Sequence, residues 1–224
     1  PYRNFLPSIG RLTRYRPPVE GQTASGGIVR NDTGVFEGGE ISMYYDPMIA
    51  KLCTWGPTRA AAIEEMRTAL DTFEVEGIGH NLPFVGAVMD HPRFVSGNIT
   101  TAFIAEEYPD GFRGAVLDEP NLRRVAAAAA AMNRVAEIRR ARISGTMDNH
   151  ERKVGDEWDV ALQGTRYAMT IAADKQGSTV TFGDGIALRV TSDWTPGMAL
   201  ARLVVDGTPL VMKVGNIPSG FRLR

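Results

Sequence analysis

Residues 119–142 read EPNLRRVAAAAAAMNRVAEIRRAR, with six consecutive alanines at Ala126 to Ala131. Alanine has the highest helix propensity of any residue, so the segment is predicted as one long helix. Twenty-odd residues at 1.5 Å each make it about 33–36 Å long. Alanine on all sides leaves a slim cylinder that neighbours can approach from several directions. Arg139, Arg140 and Arg142 suit the negative end of the helix dipole, with Arg134 a turn or more earlier. A solvated basic helix end is the plain reading of that cluster.

From Arg152 onward the hydrophobic period switches to two. Trp158-Val160-Leu162, Tyr167-Met169-Ile171, Val180-Phe182, Ile186-Leu188-Val190, Leu200 to Val205, Leu210-Met212-Val214 and Phe221 to Arg224 predict seven short strands. Gly164, Gly177, Asp184-Gly185, Pro196-Gly197, Asp206-Gly207 and Gly215-Asn216 divide them, and Asp-Gly between alternating segments is a strong hairpin signal. Seven even strands beside one slim helix predict a curled antiparallel sheet, a barrel around or against that helix, which leaves few exposed edges.

Between Gly114 and Pro120 the texture changes, and the domain boundary is placed there, giving domains 1–113 and 114–224. Before it, Ile28 to Asp32, Glu40 to Tyr45 and Lys51 to Trp55 read as strands of a small antiparallel sheet. The second alternates Ile41, Met43 and Tyr45 on one face. Thr58 caps a helix to Thr72 whose apolar positions are Ile63, Met66 and Leu70, with Glu64, Glu65 and Thr68 on its outer side. Asn81 caps a second helix that His91-Pro92 ends. A third, Thr101 to Glu107, stops before the turn tetrapeptide Tyr108-Pro109-Asp110-Gly111. The fold class is α+β.

The chain has 224 residues, 43% of them hydrophobic and 23% charged, which is the composition of a folding globular chain. A net charge of -1 gives too weak a field to steer it onto nucleic acid or anionic membrane. The opening segment lacks the apolar core of a signal peptide, and Val125 to Met132 is far short of a membrane span. The single Cys53 rules out an intrachain disulfide and a multi-cysteine zinc site and fits a reducing compartment. No phosphate loop, dinucleotide fingerprint or nucleophile elbow occurs, and His80, His91 and His150 lack metal-ligand spacing.

One segment is dense in chemistry: Tyr44, Tyr45 and Asp46 at a strand-to-turn junction, with Lys51 one short turn on. A carboxylate, phenols and an amine gathered there can hold a polar ligand or orient an arginine. The alternative is an Asx turn at Asp46 with the tyrosines packed on the sheet.

Phe5-Leu-Pro-Ser-Ile-Gly-Arg-Leu-Thr, Val29-Arg30, Tyr44-Tyr-Asp-Pro-Met-Ile-Ala-Lys-Leu52 and Gly77-Ile-Gly-His-Asn81 resemble, in order and spacing, the C-terminal subdomain of the biotin carboxylase component of biotin-dependent carboxylases. Phe94-Val-Ser-Gly-Asn-Ile-Thr-Thr and Tyr108-Pro-Asp-Gly-Phe112 resemble the propionyl-CoA carboxylase alpha subunits more than their methylcrotonyl, acetyl or pyruvate relatives. The resemblance implies a ligase activity, the ATP- and bicarbonate-dependent carboxylation of biotin, with transfer to propionyl-CoA on a carboxyltransferase beta subunit. It implies that residues 119–224 form the bridging (BT) domain that docks on that subunit and joins the biotin carrier domain. Arg30 matches a family arginine at the biotin end of the site, with Asp46 and Tyr45 beside it as further catalytic candidates; in relatives that dimerise through this subdomain the same edge lies close to an interface, so the resemblance equally allows these residues a contact role. ATP and its Mg or Mn ion, and the biotinylated lysine, are expected outside residues 1–224, so the chain by itself is expected to be inactive. Met212-Lys213 stands in a predicted strand without the second Met of a biotinylation motif. The implied location is a bacterial cytoplasm or, in a eukaryote, the mitochondrial matrix. A methylcrotonyl-type alpha subunit and a non-catalytic interaction module are the alternatives.

Overall fold

The computed structural model describes residues 6–114, 117–142, 152–217 and 220–223. Phe5, His150 and Arg224, which figured in the sequence reading, lie outside the described residues. The chain divides into two compact units, 1–116 and 117–224.

In chain order the first unit runs β1 (Gly10–Arg11), β2 (Arg14–Arg16), β3 (Gly21–Gln22), β4 (Ile28–Thr33), β5 (Glu40–Ile41), β6 (Ala50–Trp55), α1 (Arg59–Thr72), β7 (Glu74–Glu76), α2 (Leu82–Asp90), α3 (Pro92–Ser96) and α4 (Phe103–Glu107). Its strands form not one sheet but three, β1-β5, β2-β7 and β3-β4-β6. Thr58 caps α1 by accepting from the Ala61 amide at 3.2 Å. Helix α1 buries Ile63, Ala69 and Leu70, packs on β4 and β6, and is pinned where Thr54 Oγ1 donates to Ala62 O at 2.9 Å. Pro92 does more than end α2. Its fixed φ suits a first helical position, so His91 both closes α2, donating to Val88 O at 3.1 Å, and caps α3, its Nδ1 accepting from Arg93 N at 3.2 Å.

Other expectations fail in this unit as well, and Asn81 stands at the N-cap of α2 without making a side-chain capping bond. The strand expected over Glu40 to Tyr45 stops at Ile41, because Ser42 Oγ accepts from the Tyr44 amide at 3.1 Å and a local turn replaces the ladder. Glu65, expected on the outer side of α1, is 8% exposed. Thr23 Oγ1 donates to its Oε1 at 3.0 Å, and Ser25 Oγ donates to the same oxygen. Gly27 makes room for this anchor, since a Cβ there would sit 2.5 Å from the Glu65 carboxyl carbon.

The second unit runs α5 (Glu119–Ala141), β8 (Glu157–Leu162), β9 (Thr165–Asp174), β10 (Gly177–Phe182), β11 (Ala187–Ser192), β12 (Leu200–Val205), β13 (Thr208–Ile217) and β14 (Gly220–Leu223). The seven strands form one antiparallel sheet in strict chain order from β8 to β14. Asp206 and Gly207 both take positive φ, +50° and +78°, in the two-residue turn between β12 and β13, the geometry that matches hairpin twist. Asp118 caps α5, its Oδ1 accepting from Asn121 N at 2.9 Å. Ala126, Ala127, Ala128 and Ala130 are fully buried. Successive residues on a helix point about 100° apart, so the alanine stretch is enclosed round most of its circumference. Helix α5 packs on β8, on β9 to β12 and on β14, including both edge strands; the sheet curls around it. Tyr167, Met169, Ile171, Val180, Phe182, Val190, Trp194, Leu203 and Val205 complete that core. The basic helix end is only partly solvated: Arg134 pairs with Asp156 at 3.5 Å, Arg139 donates to Pro196 O at 3.3 Å, and Arg140 and Arg152 both clasp Glu137. Met212 is buried within β13, which places the Met212-Lys213 pair in mid-strand.

Three outcomes are expected. Ala127→Phe overpacks the enclosed helix and costs about 1–3 kcal/mol, and in calorimetry it lowers the thermal midpoint more than Ala129→Phe at the half-buried neighbouring position. Glu65→Ala removes the acceptor that ties the Thr23–Ser25 loop to α1 and costs about 0.5–1.5 kcal/mol, whereas Glu65→Gln, which keeps an acceptor, costs less in the same denaturant titration. Asp174 accepts from Arg189 at 2.6 Å and from the Gln176 amide at 2.7 Å, which holds its carboxyl down to about 2. Its folded value lies below the unfolded one, near 3.9, so its contribution is full above that value and is lost as pH falls toward 2. Asp174→Asn therefore flattens the fall of the thermal midpoint on acidification through that window.

Candidate functional site: the open face of β4 and β6

Period two sends Val29 and Asn31 of β4 inward and Ile28, Arg30 and Asp32 outward. Strand β6 alternates in the same way, with Lys51, Cys53 and Trp55 outward. The register sets Ile28 opposite Trp55, Arg30 opposite Cys53 and Asp32 opposite Lys51, and directly opposed residues of an antiparallel pair share a face. The outer face is therefore a ladder of three rungs, apolar at one end and charged at the other.

Arg30 is 65% exposed in its side chain and donates through its terminal nitrogen to Asp32 Oδ2 at 3.0 Å. A charge-assisted bond of this kind restricts the fork. Beneath it β4 is braced from inside. Asn31 Nδ2 donates to the Tyr15 hydroxyl at 3.2 Å, which donates to Thr33 Oγ1 at 3.0 Å, which donates to Ile49 O at 2.9 Å. The Asn31 amide, past the end of the short strand β3 that flanks β4 on that side, donates to Glu20 Oε2 at 2.9 Å.

Tyr45 and Asp46 lie in the segment between β5 and β6. Tyr44 and Tyr45 are 91% and 84% exposed, so they are not packed on the sheet. Asp46 is exposed, and among the described residues no hydrogen bond or ion pair joins it or Tyr45 to Arg30. The carboxylate on Arg30 is Asp32. Cys53, expected as a structural thiol in an apolar strand, is exposed on the same face as Arg30. Alternation alone places Asp32 beside Arg30 and Trp55 beside Cys53; reading Lys51 to Trp55 as a buried run hid that.

A second polar cluster ties α3 to α4. Arg93 pairs with Glu106 at 2.8 Å and with Glu107, and His91 Nε2 meets Glu107 Oε2 at 3.1 Å. Arg93 holds the Glu107 carboxyl below its ordinary range. The His91 ring stands edge-on to Phe103, with centroids 5.0 Å apart, and the cluster reads as a structural clasp. An apolar recess of about 300 Å³ is lined by Phe84, Val88, Phe94, Phe103 and Ile104, among others; none of Arg30, Tyr45 and Asp46 lines it. Among the described residues no group of three or more His, Cys, Asp or Glu is placed to hold a metal ion, and no helix is long and apolar enough to cross a membrane.

Residues 1–106 match the biotin carboxylase C-terminal domain, and residues 125–224 match the propionyl-coenzyme A carboxylase BT domain. The chain thus belongs to the biotin-dependent carboxylase family, in the region where these two domains follow one another. It is 71% identical, over its whole length, to the propionyl-CoA carboxylase alpha chain of Ruegeria pomeroyi, of which it covers 35%. It is 37% identical over 93% of its length to the mitochondrial propionyl-CoA carboxylase alpha chain of Mus musculus, of which it covers 28%. The chain therefore spans about a third of the length of these relatives. A methylcrotonoyl-CoA carboxylase alpha subunit from Glycine max aligns over only 49% of the chain, at 42% identity. The solved biotin carboxylase domain of Hydrogenobacter thermophilus 2-oxoglutarate carboxylase, in complex with MgADP and bicarbonate, is 35% identical, with a TM-score of 0.45, covering 52% of this chain and 24% of its own.

Proposed function

We propose that this chain is a section of the alpha subunit of a propionyl-CoA carboxylase, a ligase that carboxylates biotin at the expense of ATP and bicarbonate for transfer to propionyl-CoA. The observation that carries the reading is the succession, in one chain, of a biotin carboxylase C-terminal domain and a propionyl-CoA carboxylase BT domain, with 71% identity to one such alpha chain throughout. The methylcrotonyl alternative is weaker, since that likeness extends over half the chain.

Within the reading, unit 1 supplies one wall of the carboxylation site. Bound biotin supplies the ureido nitrogen that accepts the carboxyl group. Arg30 has the open fork that charge growing on a ureido oxygen requires, and Asp32 keeps that fork oriented at the moment of reaction. Tyr45 and Asp46 act from the exposed segment as further contacts at the same end. On this reading ATP, its divalent ion and the biotinylated lysine belong to parts of the subunit outside this chain. Unit 2, with its enclosed helix, serves as the docking module for a carboxyltransferase beta subunit and as the link to the carrier domain. The non-catalytic interaction module then describes what unit 2 does within the enzyme.

In the full-length subunit, Arg30→Ala and Asp46→Ala each lower the rate of biotin carboxylation by about 10–1000-fold, the range for losing one positioned electrostatic contact, without altering circular dichroism. Wild-type turnover in Arg30→Ala contradicts the assignment; wild-type turnover in Asp46→Ala alone returns that residue to a turn-forming role.

A further inference from the structure

Trp55 stands out on the sheet. An indole offers one of the largest apolar surfaces of any side chain and is on average well buried, yet 55% of this one is open, and its cross-strand partner Ile28 is 45% exposed. Together they make a contiguous apolar step on an otherwise polar face. The next rung is Arg30 with Cys53, and same-face neighbours along a strand lie about 6.6–6.8 Å apart. Within one strand repeat the face therefore presents an aromatic-aliphatic platform and then a guanidinium fork held by Asp32.

We infer that Trp55, with Ile28, is a binding residue for biotin, taking the apolar flank of the bicycle and its methylene arm while Arg30 takes the ureido oxygen. The order of chemistry along the ladder is the order along that ligand: one hydrogen-bonding oxygen at the tip, then a thioether ring, then methylenes. Indole provides a rigid, flat surface for such a flank at low entropic cost. The inference rests on the reading of Arg30 given above. The competing occupant is another part of the same subunit laid against the indole.

The test uses the full-length subunit with free biotin as the probe, comparing Trp55→Ala, Trp55→Phe and Arg30→Ala in biotin carboxylation and in biotin-independent ATP hydrolysis. Trp55→Ala is expected to raise the KM for biotin about tenfold, the factor that ~1.4 kcal/mol represents. Turnover and biotin-independent hydrolysis stay within about twofold, the pattern of a lost binding contact, and Trp55→Phe recovers most of the KM. Should Trp55→Ala fail to fold, Ile28→Thr, which keeps a β-branched residue, carries the same expectation. An unchanged KM overturns the inference. So does a loss of biotin-independent hydrolysis in step with the biotin reaction, which assigns the indole to packing inside the subunit. If Arg30→Ala alone impairs the biotin reaction, only the role of Trp55 falls; if neither variant does, the reading of Arg30 falls with it.

Discussion

The chemistry open to unit 1 depends on a three-stranded sheet with only one face covered. Helix α1 packs on β4 and β6, and the inward residues of β4, Val29 and Asn31, are buried beneath it or tied into the chain from Tyr15 to Thr33. The same alternation that buries those two must push Ile28, Arg30 and Asp32 out. A one-residue slip of β4 would bury the guanidinium and expose Val29, so register and site are a single constraint. Glu20, which accepts from the Asn31 amide past the end of β3, and Glu65 beneath the loop before β4 both act against that slip.

Unit 2 obeys a constraint of size. A curled sheet in contact with a helix from edge strand to edge strand leaves no room for branched side chains on several sides of that helix. Alanine meets the requirement and has the propensity to keep the helix formed without large side chains of its own. The bulk of the core then comes from the sheet, through Tyr167, Met169 and Phe182, with Trp194 added from the loop between β11 and β12.

Long, strongly periodic segments were legible in the sequence. The alanine run, the seven alternating stretches and the Asp206-Gly207 hairpin carry local signals that tertiary structure does not override. The two- and three-residue strands carry none: β3 is too short to show alternation before its hairpin to β4, and β1-β5 and β2-β7 pair segments far apart in the chain that the rest of the fold brings together. Glu65 was misplaced because charge predicts exposure until Thr23 and Ser25, forty residues away, supply hydroxyl donors. In the candidate site, Arg30 was proposed by resemblance, whereas Asp32 and Trp55, which alternation puts on the same face, went unread because Lys51 to Trp55 was taken as an apolar run.

On the proposed reading, the outer face of β4 and β6 is the biotin end of a carboxylation site. Cys53 reports on it directly, being exposed and opposite Arg30 in the register. The decisive measurement is the rate at which a small alkylating reagent modifies Cys53 in the full-length subunit, followed by mass spectrometry of its peptide with and without free biotin. Slower modification in the presence of biotin, abolished by Arg30→Ala, is the predicted result. A rate that biotin leaves unchanged would contradict the account.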